Sequence, residues 1–261
     1  MTFRFHHVSR LMPPLLAAAL ITASPAHAGT IIFDNFNDNS LNTALWLPAT
    51  PIGGGSVREV NQRLEVTAAR GGSAVVAALL ATLSGDFDVR VGYELNGLLN
   101  PIYETGAGIF LLTPTSSFTV GRDTVDGPEA CGDWGAPCNG YVGGFPYPES
   151  EPNEFKVRTM DVRGALRFTR AGNKTAALYG PSVWSDAWSV IYETTDFPVE
   201  PITGVYIGVV TWGEEDVWAA FDDFRLEADT VTPIPEPGSL LLLGTGVLGL
   251  ARAVRTRRGR R

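Results

Sequence analysis

Residues Phe87 to Leu95 (Phe-Asp-Val-Arg-Val-Gly-Tyr-Glu-Leu) place apolar side chains at odd positions and mostly polar ones at even positions. A period of two over nine residues marks a strand with one buried face, and no helix tolerates it. Weaker versions recur at Arg63 to Ala68, Phe155 to Met160, Ala165 to Arg170 and Trp188 to Glu193. Val205 to Trp212 is apolar on both faces, as in a central strand. Ser73 to Leu83 has helix-forming Ala and Leu, but Ser84-Gly85-Asp86 ends it as a hairpin turn would, and a strand is expected. Nowhere else do ten residues keep clean helical spacing. Turn signals at Gly53-Gly54-Gly55, Gly71-Gly72, Gly143-Gly144 and Ala171-Gly172-Asn173 punctuate the runs. Strands at this spacing over about 200 residues predict one all-β domain, a sandwich or a barrel.

The two ends of that domain look paired. It starts at Phe33-Asp34-Asn35-Phe36-Asn37-Asp38, with Trp46 shortly after, and finishes at Ala220-Phe221-Asp222-Asp223-Phe224-Arg225-Leu226-Glu227. With Gly85 to Val89 and Leu166 to Asn173 between them, these segments resemble concanavalin A-like lectin/glucanase proteins. The resemblance spans roughly residues 31–228. It implies an antiparallel β-sandwich of jelly-roll type whose first and last strands lie side by side. The finish has a phase problem: Trp218, Ala220, Phe224 and Leu226 share one face, while Phe221 falls on the other. Either a bulge resets the register, or Asp222 points inward and needs partners. If the ends pair, Asp34 could approach Asp222, and two carboxylates with backbone carbonyls would suit a structural calcium ion. Otherwise no cofactor is expected.

Both termini carry addresses. Arg4 and Arg10, the apolar run Leu11 to Ile21 and the small residues of Ala26-His27-Ala28 form a secretory signal, with Gly29 the expected mature start. At the other end, Pro235-Glu236-Pro237 precedes an apolar stretch, Gly238 to Ala251, and then six arginines from Arg252 to Arg261. Fourteen helical residues span about 21 Å against a hydrocarbon core of about 30 Å, so this is a short transmembrane helix aided by bilayer thinning and snorkelling. The arginines stay cytoplasmic, which puts the preceding body outside the inner membrane. Pro-Glu-Pro, short apolar helix and terminal Arg cluster, over residues 233–261, resemble the PEP-CTERM sorting signal of Gram-negative bacteria. That resemblance implies an exosortase partner that cuts near Pro235–Pro237, delivery to the cell surface and association with extracellular polysaccharide. Three segments follow: signal peptide 1–28, β-sandwich 29–229 and sorting tail 230–261.

Export agrees with the cysteines. Cys131 and Cys138 are the only two, set among turn formers, and an even count in a secreted chain favours a disulfide. All three histidines, His6, His7 and His27, fall in the signal segment. The exported body therefore lacks Ser-His-Asp and Cys-His catalysis and any imidazole metal site. The body holds 12 basic and 27 acidic residues, which repels phosphate backbones and excludes nucleic acid as a partner.

Glucanases of the resembling class carry Glu, Asp and Glu at alternate positions of one strand, so that all three face one glycosidic bond. No such run is present. Glu214-Glu215-Asp216 is contiguous and reads as an acidic hairpin tip. No enzyme chemistry is expected; a hydrolase or lyase would need carboxylates converging from separate strands. Residues 121–154 form an insertion rich in Gly, Pro, acids and aromatics. Trp134, Tyr141 and Tyr147, with Asp133, are the candidate sugar-binding residues, since aromatic faces stack on CH groups and carboxylates accept from hydroxyls. The competing reading makes these aromatics a roof over the sandwich edge. Trp184, Trp188, Trp212 and Trp218 lie in or beside strand patterns and are expected in the core. The favoured function is a non-catalytic carbohydrate-binding or matrix-associated surface module; the competitor is a structural, divalent-ion-binding surface protein.

Overall fold

The computed structural model describes residues 29–96, 105–124, 139–147 and 155–234. All regular structure in them is extended. In chain order the strands are β1 (Thr30–Asp34), β2 (Trp46–Ile52), β3 (Gly55–Val60), β4 (Arg63–Ala68), β5 (Ser73–Leu79), β6 (Ala81–Leu95), β7 (Thr105–Leu112) and β8 (Ser117–Thr124). There follow β9 (Asn139–Tyr147), β10 (Phe155–Arg158), β11 (Arg163–Ala171), β12 (Lys174–Gly180), β13 (Ser189–Thr194), β14 (Gly204–Thr211) and β15 (Val217–Pro233).

They form two antiparallel sheets. The eight-stranded sheet runs β13-β12-β11-β6-β15-β4-β3, with β1 added on β15; the seven-stranded sheet runs β10-β9-β8-β7-β14-β5-β2. The terminal strands pair as expected, Thr30 opposite Ala228 and Asp34 opposite Phe224. Between the sheets lies one core: Val89, Val91, Phe168 and Phe221 from one side meet Ile109, Val120, Ile207 and Val209 from the other. Trp46 is fully buried there, edge-on to Phe224 at 4.8 Å.

Period-two alternation is realised in β6, whose odd positions from Phe87 to Leu95 are all buried. Its start differs from expectation. Ser84-Gly85-Asp86 is no hairpin turn: β6 runs through it, with Gly85 at φ 79° and the Asp86 amide donating to Asp229 Oδ2 at 2.9 Å. The chain instead breaks at Leu80, between β5 and β6. Gly143-Gly144 is likewise inside β9, where glycine serves packing: a Cβ on Gly143 would stand 2.6 Å from the Ala177 Cβ. The insertion expected at 121–154 is in part a strand pair, since β8 continues to Thr124 and β9 returns beside it.

The phase problem of the last strand resolves as a bulge. Pairing with β6 slips between Asp222 and Arg225, and Asp223 sits at φ 51°. The extra residue lets Ala219 and Phe221 point inward before it and Phe224 and Leu226 after it, all four fully buried. Asp222 is thereby turned to the outer face.

Candidate functional site: the outer face of the seven-stranded sheet

On the side of the seven-stranded sheet away from the core, one row of paired positions reads Val76, Gly208, Gly108, Gly121, Val142 across β5, β14, β7, β8 and β9. Three adjacent glycines thus cross the centre of the sheet. Close strand approach demands them. A Cβ on Gly108 would stand 2.3 Å from the Val120 carbonyl oxygen, one on Gly208 2.2 Å from that of Val75, and one on Gly121 2.9 Å from that of Ala107. Without side chains the row is a trough. The next rows form its banks: Tyr206, Phe110 and Thr119 on one side, Val210, Gly106 and Asp123 on the other. A cavity of about 190 Å³ lies here, with Phe110, Thr119, Asp123, Val142 and Val210 in its walls.

Asp123 is the only carboxylate that the seven strands of this sheet contribute among the described residues. Its Oδ1 accepts the Thr124 amide at 2.7 Å. Beneath the face, Arg122 points inward and is fully buried. Its guanidinium donates to the carbonyls of Asp161 (2.9 Å) and Gly140 (2.6 Å) and to Asn139 Oδ1 (3.4 Å). Burial lowers its pKa. This anchored arginine holds the ends of β8 and β9 together under Asp123.

The sequence-predicted site residues scatter. Tyr141 does not offer a face to a ligand: it is 2% exposed, stacked on Tyr179 at 4.1 Å, and its hydroxyl meets those of Tyr93 (2.8 Å) and the Asp161 carboxylate (3.2 Å). Its place in β9 alternates with Val142, and it is Val142 that faces out. Tyr147 ends β9 with its backbone paired to Ser117. Asp133, Trp134, Cys131 and Cys138 lie outside the described residues, as do Ala26, Ala28, Pro235, Glu236, Pro237 and the Gly238–Ala251 segment. Gly29 is described and stands just before β1.

Asp34 and Asp222 are not brought together. Asp34 lies on the inner side of the sheet, its Oδ1 taking the Phe36 amide (3.0 Å) and its Oδ2 the Trp46 indole (2.9 Å). Asp222 lies on the outer side, because the bulge turns it there, and burial is the main cause raising its carboxyl pKa. Glu214 to Asp216 make a corner between the two sheets rather than a hairpin within one, with Asp216 Oδ1 accepting the Arg70 amide at 3.0 Å. None of the four tryptophans expected in the core lies there: Trp184 (54%) and Trp212 (51%) are exposed, while Trp188 and Trp218 are half-buried beneath Arg167 and Arg63.

Sequence reasoning missed the glycine trough. Its signal was present as Gly106, Gly108, Gly121 and Gly208 within strand patterns, and an isolated strand glycine marks close backbone approach. Their alignment into one row is a matter of register, which spacing along the chain does not encode.

This architecture is the concanavalin A-like jelly-roll sandwich. Among solved structures the chain is similar to the cellulose induced protein Cip1 (14% identity, 76% of this chain and 97% of that one, TM-score 0.51). It is also similar to Rv0315, an immunostimulatory antigen and pseudo beta-1,3-glucanase of Mycobacterium tuberculosis (13%, 76% and 98%, TM-score 0.50). A third is the marine PL7 alginate lyase AlyA1 from Zobellia galactanivorans (8%, 77% and 100%, TM-score 0.53). At these identities the likeness shows the fold alone; enzymes and a pseudo-enzyme share it. No curated protein matches the chain in sequence. Residues 233–258 match the PEP-CTERM protein-sorting motif, which is associated with export to the surface of Gram-negative bacteria and with processing by an exosortase.

Proposed function

We propose that the protein is a non-catalytic surface module that holds extracellular polysaccharide on the outer face of its seven-stranded sheet. The glycine trough Gly208–Gly108–Gly121 carries this reading. A floor without side chains lets a flat sugar ring approach the sheet, Phe110 supplies apolar contact on one bank, and Asp123 accepts hydroxyl hydrogen bonds on the other. A glycosidase needs two carboxylates roughly 5–9.5 Å apart. The described strands of this face supply Asp123 alone, which favours binding over cleavage.

In the same reading the signal peptide is cut before Gly29, and the tail holds the body on the periplasmic side of the inner membrane. An exosortase then releases it near Pro235–Pro237. β15 ends at Pro233 and the Ile234 amide still donates to Leu80 O at 2.9 Å, so the sandwich ends beside the proposed cut.

The test is retention of the exported protein on an immobilised panel of neutral and uronate polysaccharides. Phe110→Ala and Asp123→Asn are expected to lower retention at least tenfold with melting unchanged to within a few degrees. Retention on no polysaccharide, or sugar release into solution that Asp123→Asn abolishes, overturns the reading.

A further inference from the structure

A second cleft lies on the opposite side of the molecule, on the outer face of the eight-stranded sheet. It encloses about 450 Å³, within the range of small-ligand pockets. The β15 bulge opens it. Its floor is Gly92, paired with Asp222 and without a side chain to fill the space. One wall is the β3–β4 turn at Asn61 and Gln62, both at positive φ; the other is the segment Pro181–Val183, pinned down by the buried Val183.

Polar groups converge on it from four strands. Asp222 comes from β15, Glu94 from β6, Arg163 from β11 and Arg63 from β4. Arg63 is positioned by the Trp218 ring 4.9 Å below it and reaches Glu94 at 3.3 Å. Beside the cleft, next to Val183, stands Trp184. Its indole N–H donates to Asp223 Oδ2 at 3.0 Å, fixing the ring. Arg225 lies against that ring at 5.5 Å and Phe33 at 5.6 Å, yet Trp184 remains 54% exposed. A tryptophan oriented by a hydrogen bond and a cation, and still open to solvent, is a built platform rather than a stray surface residue.

Charge decides the class of ligand. Arg63 and Arg163 oppose a simple cation, while Asp222, Asp223 and Glu94 oppose phosphate, sulfate or a uronate. Alternating donors and acceptors beside an aromatic face match a neutral polyol ring, whose hydroxyls both donate and accept and whose CH groups stack. We propose that this cleft is a second glycan site for a neutral sugar, with Trp184 as the stacking platform and Asp222, Glu94 and Arg163 as the hydrogen-bonding groups. It stands apart from the trough, since the two sites open on opposite outer faces of the sandwich.

The test is calorimetric titration of the exported protein with laminarihexaose, cellohexaose and maltohexaose. Trp184→Ala and Arg163→Ala change exposed side chains, and thermal melting checks that each variant folds. Each is expected to weaken binding of at least one hexaose about tenfold, while Phe110→Ala and Asp123→Asn on the other face leave that event in place. Loss confined to the Trp184 and Arg163 variants supports this cleft, and the trough is then judged on its own polysaccharide panel. Loss confined to the Phe110 and Asp123 variants supports the trough and overturns this cleft. Two binding events, each removed by its own pair of variants, support both sites. No binding of any hexaose to the parent, or unchanged binding in both Trp184→Ala and Arg163→Ala, overturns this proposal.

Discussion

The hydroxyls of Tyr93 and Tyr141 meet at 2.8 Å inside the sandwich, one from each sheet. Burial pushes Tyr93 up to about 12 and raises Tyr141 further, so both remain neutral across the physiological range. With Asp161 accepting from Tyr141 and Arg122 lying 5.4 Å from its ring, they form a polar rivet between the two sheets. Tyr141→Phe strips this network of its central hydroxyl and leaves the Tyr93 hydroxyl buried. The expected loss is about 1–3 kcal/mol in denaturant unfolding. Glycan retention stays at the parent level, because Tyr141 faces the core.

The trough glycines answer to backbone geometry, which makes them intolerant of the smallest substitution. Gly208→Ala places a methyl 2.2 Å from the Val75 carbonyl oxygen and 2.7 Å from Val76 Cγ1. Neither the backbone nor a β-branched neighbour yields cheaply, and a cost of about 1–3 kcal/mol is expected. Thermal melting should fall by about 2–4 °C per kcal/mol for a domain of this size. Gly172→Ala is a useful comparison: its Cβ would meet nothing within 4 Å, and only its φ of 61° opposes the change.

Asp88 is the hub of the outer face of the eight-stranded sheet. It pairs with Arg90 at 2.7 Å and Arg167 at 2.6 Å. Burial works to raise its pKa, but hydrogen bonds and charge from the two arginines outweigh it and hold the carboxyl below its ordinary value. A carboxyl depressed by folding contributes stability that is present above the ordinary aspartate pKa and is lost as pH falls through the folded value. Asp88→Asn is therefore expected to cost about 2 kcal/mol at pH 7. The difference from the parent should shrink on acidification below about pH 4, read by urea unfolding at a series of pH values.

Glu59 is shifted the other way. It is 5% exposed, its Oε1 is buried without a hydrogen-bond partner, and burial together with Asp38 raises its pKa. Its ionised form is a liability of the folded state, absent below the ordinary glutamate pKa and growing as pH rises toward the folded value. Glu59→Gln keeps the shape and removes the charge. It should stabilise at pH 7 by about 1 kcal/mol, a rise of about 2–4 °C in melting temperature. The gain should vanish below about pH 4, where both forms are neutral. Destabilisation at pH 7 would contradict the assignment.

Much of this molecule is legible along the chain because its causes are local. Alternation at Phe87 to Leu95 demands a half-buried strand wherever it is placed, and β6 is that strand. The misplaced aspartates at Asp222 and Asp223 announce an irregularity in the last strand, and the bulge supplies it. The sorting motif is a contiguous string, matched at residues 233–258. The sites are another matter. Which face a residue takes depends on which strand it lies against. Alternation alone could not put Tyr141 inward and Val142 outward, nor leave Trp184 exposed while Trp46 is sealed in the core. Nor could it align Gly208, Gly108 and Gly121, which are far apart in sequence and adjacent only through register. Strand type and terminal addresses come from short-range periodicity and composition. The trough and the outer cleft come from long-range pairing, where one residue of slip exchanges every inward side chain for an outward one.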